Sequence, residues 1–178
     1  VPSKITLERQ KKKDGPIFGL DENYNLNTDG ILDVYDLKNW ANQKKEISNI
    51  SEEDRVKFNI YKYSKKKLYE NFERISNNKK IISNDFAIKD WAKYFALSDL
   101  FGSYHGTQLK SVRIYFNTVN GKFYPILFDA HKGTGFSNTS FSDFILLDFL
   151  SKKDNYNCDF ICDGEKFYLG FLRDDAFL

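Results

Sequence analysis

Methionine is absent from this 178-residue sequence, which opens Val1-Pro2-Ser3. Such a chain reads as a piece of a longer protein, so the lack of a signal peptide says little about where that protein resides. Cysteine is nearly absent. Cys158 and Cys162 have no histidine or further cysteine at zinc-ligand spacing, which sets aside a zinc knuckle or ribbon. A disulfide between them suits an exporting compartment and two buried thiols suit any other; the sequence leaves both open. Arginine is confined to Arg9, Arg55, Arg74, Arg113 and Arg173, and 27 basic residues against 25 acidic ones leave a net charge of only +2. Nucleic-acid binders concentrate guanidinium groups and a larger positive excess, so no nucleic-acid partner is expected. The runs Lys11-Lys12-Lys13 and Lys65-Lys66-Lys67 read as solvated surface. No apolar run approaches the ~20 residues of a spanning helix, so no membrane span is expected in this segment.

Aromatic side chains, by contrast, make up 17% of the sequence, most of them Phe and Tyr. A chain of this length can bury a sizeable core as one domain, here an aromatic one. Near the start, Asp14-Gly15-Pro16 is a break and Ile17-Phe18-Gly19-Leu20 a short strand. An Asn- and Asp-rich loop follows. Asn25, Asn27, Asp29, Asp33 and Asp36, with Gly30 and Leu32, have calcium-loop spacing: oxygen ligands at positions 1, 3, 5 and 9, glycine at 6, a carboxylate at 12. Leu37 and Trp40 read as the helix after it. The pattern resembles EF-hand and dockerin loops, departing from them at Asn25, where aspartate is usual. An Asx-rich turn capping that helix at Asp29 or Asp33 accounts for the same residues without a metal.

Ser51 and Asp54 form a capping-box-like start for a helix in which Val56, Ile60, Tyr63, Leu68, Phe72 and Ile75 keep helical period to about Ser76. After the loop Asn77–Lys80, Asp85 stands as N-cap of a second helix with an apolar stripe of Ile88, Trp91, Ala92, Phe95 and Ala96, stopped at Gly102. A polar loop from Ser103 to Ser111 leads to a β-hairpin, with Asn120-Gly121 as a two-residue turn. That turn sets Phe116 opposite Pro125 and Val112 opposite Asp129, on the face that carries Ile114, Phe116, Phe123 and Leu127. An edge-facing proline is tolerated there. Asp129 then comes back beside the His105–Ser111 loop, so polar groups distant in sequence converge on one rim. Phe141, Phe144, Ile145, Asp148 and Phe149 suggest another helix, Asp154 to Gly164 a loop, and Phe167 to Leu172 a short apolar segment of undecided type.

The run from Trp91 to Gly102, His105, the strand Val112–Asn117 and the segment Gly121–Asp129 together resemble the CotH kinase family, atypical kinase-like proteins of spore coats and cell surfaces. Lys12-Lys13-Asp14-Gly15-Pro16-Ile17-Phe18 with Leu20-Asp21-Glu22 is similar to a segment upstream in that family. The likeness covers most of residues 12–136 and is sharpest over 86–129. It implies an α+β fold: a mostly helical, kinase-like C-terminal lobe with a central β-hairpin at about 112–129. It also implies that the nucleotide-binding part precedes Val1, so this segment alone is not expected to turn over ATP.

On that resemblance Asp129 is the magnesium-binding aspartate, analogous to that of the D-F-G element. ATP and Mg²⁺ are the implied cofactors, and Ser or Thr of a secreted or cell-surface protein the implied acceptor. His105 and Ser111 stand where the better-known kinases of the family carry an aspartate and, several residues later, an asparagine. A neutral imidazole at 105 would take the acceptor proton, and Ser111 would be the weaker Mg²⁺ ligand. Lys132 and Arg113 suit phosphate contact and equally suit solvated surface. His105 as a loop histidine bonded to backbone, and Asp129 as a cap of the turn Ala130–Gly133, remain the plainer readings. A domain of the same fold that has lost phosphate transfer and serves as a binding module, with calcium at residues 25–36, is the alternative.

Overall fold

The computed structural model describes residues 14–20, 40–42, 52–101, 103–107, 109, 111–128 and 164–175. Within them the chain forms strands β1 (Ile17–Leu20) and β2 (Trp40–Asn42), helix α1 (Glu52–Ser76), helix α2 (Ile88–Leu100), strands β3 (Arg113–Asn117) and β4 (Lys122–Ile126), and helix α3 (Gly164–Leu172). Short 3₁₀ turns at Ser83–Asp85 and Tyr104–Thr107 stand before and after α2. The fold is α+β, and the strands form one antiparallel sheet in the order β2-β1-β3-β4. Trp40 belongs to β2, not to the helix expected there.

Helix α1 forms where the period places it, but Val56 and Tyr63 of the expected apolar stripe are exposed. Ser64, Leu68, Asn71, Phe72 and Ile75 fall on one face, and all are buried. Its end is a Schellman motif: Asn78 takes φ +56°, its N–H donates to the Ile75 carbonyl, and Lys79 N–H donates to the Arg74 carbonyl. Asparagine supplies the left-handed residue that glycine more often provides.

The chain enters α2 differently from expectation. Asp85 does not cap the helix; Ala87 occupies the cap position and makes no side-chain capping bond. The Asp85 carboxylate turns inward instead, 2.6 Å from Lys67 Nζ, and accepts from Asn71 Nδ2 at 3.0 Å. The sheet fixes the helix entry: Ala87 N–H and Trp91 Nε1 both donate to the Phe123 carbonyl on the outer edge of β4. Because that carbonyl points away from β3, so does the nitrogen of Pro125 two residues on, and no ladder bond is lost. The buried face of α2 is Trp91, Tyr94, Phe95 and Ser98, while Ala96 faces out.

The hairpin pairs Arg113 with Ile126, Ile114 with Pro125, Phe116 with Phe123 and Asn117 with Lys122. Its turn therefore spans Thr118 to Gly121 rather than two residues. Asn117 is the physical reason: its side-chain oxygen accepts from Val119 N–H and its carbonyl from Gly121 N–H, with Gly121 at φ +68°. The slip of two residues keeps every side chain on its expected face. It removes the expected Phe116–Pro125 pair, and carried one step further it sets Leu127, not Asp129, opposite Val112. Leu127 lies beyond the ladder and is 66% exposed rather than part of the apolar face.

Helices α1, α2 and α3 close over the face of the sheet that carries Phe18, Ile114, Phe116 and Phe123. At the centre Trp91 meets Phe171 at 4.9 Å and Phe167 at 5.4 Å between ring centroids, and Phe86 meets Phe171 at 5.1 Å, mostly in edge-to-face or tilted geometry. The apolar segment of undecided type is thus a helix, α3. Its Gly170 carbonyl accepts from Ile81 N–H, and Asp174 just after it accepts from Ser83 Oγ. On the opposite face of the sheet Ile17, Tyr115 and Ile126 form a smaller buried cluster. The stretch Phe141–Phe149 and both cysteines lie outside the described residues.

Candidate functional site

Three elements meet at the start of β3: the buried face of α2, the 3₁₀ turn Tyr104–Thr107 and the strand itself. The loop after α2 folds back at once, with Ser103 N–H on the Ser98 carbonyl. This sets the turn against the helix, and Tyr94 locks it there. The Tyr94 hydroxyl donates to the Gly106 carbonyl at 2.5 Å, immediately after His105. Burial pushes the Tyr94 hydroxyl well above the ordinary tyrosine range, and the positive charge of Arg113 pulls it partly back. A neutral, donating phenol is therefore fixed beside the His105 turn across the physiological range.

Arg113 is 5% exposed, which excludes a solvated surface role for it. Its Nη1 donates to the Val112 carbonyl at 3.1 Å, and its guanidinium carbon lies 4.5 Å from the centroid of the Phe128 ring. Room for that side chain comes from Gly19 on β1, where a Cβ would stand 2.7 Å from Arg113 Cδ. Arg113 thus touches the residue that immediately precedes Asp129. Residues from the His105 turn, α2, β3 and the exit of β4 meet in two pairs: Gly106 with Tyr94 by a hydrogen bond, and Arg113 with Phe128 by a cation–π contact.

His105 is half-buried, and Gly106, Thr107, Leu109 and Val112 around it are buried. Ser111, at 2% exposure, is packed within this group. Asp129 and Lys132 lie outside the described residues, as do Asn25, Asn27, Asp29, Asp33 and Asp36. Among the described residues no three His, Cys, Asp or Glu side chains come together as a metal site.

No family model, curated protein or solved structure matches the chain. The site is therefore read from its own chemistry. Tyr94, Phe128 and Gly19 were not foreseen as parts of it. Tyr94 carried a signal, since it stands three residues after Trp91 and so shares its helix face. Gly19 and Phe128 carried none, because only the tertiary fold brings them to Arg113. Among the described residues no helix is long and apolar enough to cross a membrane.

Proposed function

We propose that the chain is part of a CotH-like, ATP-dependent protein kinase that transfers phosphate to Ser or Thr of a secreted or cell-surface protein. The observations that support this reading are the Tyr94 bond that fixes the His105 turn and the contact of buried Arg113 with Phe128, the residue before Asp129. In this reading the His105 turn supplies the candidate base and the segment after Phe128 the candidate metal ligand, Asp129. In this role Asp129 holds Mg²⁺, which would neutralise charge on the phosphates. His105 orients the acceptor hydroxyl or takes its proton, an effect worth roughly 10²–10⁴-fold. Arg113 stiffens the base of the site. Its burial speaks for a positioning role over direct phosphate contact, and Lys132 is left as the phosphate-facing cation. Binding of ATP with Mg²⁺ by the full-length protein, and its loss in Asp129→Asn, is the test.

The burial of Ser111 favours a second reading, because a serine packed among Leu109 and Val112 is poorly placed to ligate Mg²⁺. In that reading the fold has lost phosphate transfer and serves as a binding module, with calcium at residues 25–36. Calcium would then raise the melting temperature while nucleotide would not, since a ligand bound only by the folded state stabilises it.

A further inference from the structure

We infer that Asn120-Gly121, at the tip of the β3–β4 hairpin, is a deamidation site that the native turn holds unreactive, a feature independent of the phosphotransfer reading. This is the single Asn-Gly pair in the sequence. An asparagine before glycine is open to attack by its own backbone, because glycine has no Cβ to shield the nitrogen that follows. Asn120 is exposed, and a Cβ built at Gly121 would meet nothing within 4 Å, so water reaches both residues. The reaction is a ring closure. The Gly121 nitrogen gives its proton to water or hydroxide and bonds to Asn120 Cγ, while the bond from Cγ to Nδ2 breaks and that nitrogen leaves as ammonia. A water molecule then opens the succinimide at either carbonyl, leaving aspartate or isoaspartate at position 120.

The native turn holds each group that has to move. Gly121 N–H donates to the Asn117 carbonyl at 2.8 Å, which engages the proton that must leave. Asn120 Oδ1 accepts from Lys122 N–H at 3.1 Å, and Nδ2 donates to the Tyr124 hydroxyl at 2.7 Å. Both ends of the carboxamide are therefore fixed on residues beyond Gly121. The Gly121 carbonyl accepts from Lys67 Nζ at 3.2 Å, and Lys67 is itself anchored on Asp85. Closing the ring breaks the Gly121 N–H bond and turns the carboxamide out of its other two. Isoaspartate adds a methylene to the main chain, so the turn between Asn117 and Gly121 can no longer close as it does. Conversion thus loosens the tip from α1, and refolding does not reverse it.

The test incubates the 178-residue chain at one mildly alkaline pH, folded in buffer and unfolded in guanidinium chloride. Mass spectrometry of the tryptic peptide Ile114–Lys122 then follows the exchange of the Asn120 amide for a carboxyl group. Each hydrogen bond holds its group by about twofold to tenfold, so Asn120 should convert at least about tenfold more slowly in the folded chain. Asn117, followed by the β-branched Thr118, should persist in both and serves as the internal control. Tyr124→Phe removes the acceptor of Nδ2 and should speed conversion in the folded chain about twofold or more. The isoaspartate form, separated by ion exchange, should melt at a lower temperature than the unconverted chain. Equal conversion in folded and unfolded wild type, or none in the unfolded chain, would overturn the inference. So would an unchanged rate in folded Tyr124→Phe, or an isoaspartate form that melts as the unconverted chain does. Should Tyr124→Phe lose its helical circular dichroism, the comparison of folded with unfolded wild type decides by itself.

Discussion

The ammonium of Lys67 lies 2.6 Å from the carboxylate of Asp85, and the same ammonium donates to the Gly121 carbonyl at 3.2 Å. One side chain in the middle of α1 thus holds both the segment that delivers the chain into α2 and the turn of the β3–β4 hairpin. Asn71 completes the cluster, donating to Asp85 and accepting from Ile82 N–H. The hairpin and the entry to α2 are in turn joined at the Phe123 carbonyl, so the frame of the candidate site closes on itself.

Asp85→Ala should destabilise the fold by about 2–4 kcal/mol, because it leaves a partly buried ammonium and a buried amide without their acceptor. The double variant Lys67→Met, Asp85→Leu should cost less than the two single changes combined, since it removes both polar partners at once. Urea denaturation of the wild type, Asp85→Ala, the two single changes and the double variant measures both. Additive costs would show that the pair is not coupled.

Tyr94→Phe deletes the bond to the Gly106 carbonyl and leaves that buried acceptor unsatisfied, for an expected loss of about 1–2 kcal/mol. Its local effect should fall on the His105 turn. Imidazole proton shifts of His105 should move in the Tyr94→Phe spectrum and stay in place in Tyr168→Phe.

Alkaline pH should loosen the fold early. Burial, then the charge of Asp14 and the neighbouring Tyr124, push the Tyr115 hydroxyl up to about 12, and burial raises Tyr94 in the same direction. A folded-state pKa above the unfolded value of ~10 means the native state holds the proton more tightly. The stabilisation is complete below pH ~10 and is lost as pH rises through about 12. Melting temperature against pH should fall over that window, and less steeply in Tyr115→Phe.

Gly15 and Gly19 separate two kinds of close approach. A Cβ at Gly15 would stand 2.2 Å from the Phe116 carbonyl oxygen, an atom held by the sheet. At Gly19 the obstacle is the Arg113 side chain, which can shift. Gly15→Ala should therefore cost about 2–3 kcal/mol and Gly19→Ala less. The latter should instead disturb the stacking of Arg113 on Phe128, visible in the ring-proton shifts of Phe128.

Much of this frame was legible in the residues. The period of Leu68, Phe72 and Ile75 located α1 and its end at Ser76, and Ile17–Leu20 read as a strand. Strict alternation fixed which faces of β3 and β4 are apolar, and that survived a wrong register because the slip was even. The register itself was hidden in the Asn117 side chain, which takes Val119 N–H and ends the ladder early. Asp85 misled for a related reason: a carboxylate before an apolar run looks like a helix cap until a lysine eighteen positions earlier claims it. Trp40 lay in a strand whose pairing partner is β1, with Leu20 opposite Trp40 twenty positions earlier, beyond any local pattern. Of the site, His105 and Arg113 were named from sequence, but the buried phenol that fixes the His105 turn was not.

The most direct test is isothermal titration of ATP with Mg²⁺ into the full-length protein that contains this chain. The expected result is magnesium-dependent binding that Asp129→Asn abolishes in a folded protein. Nucleotide binding that is equally strong in Asp129→Asn, or none in the wild type, would contradict it.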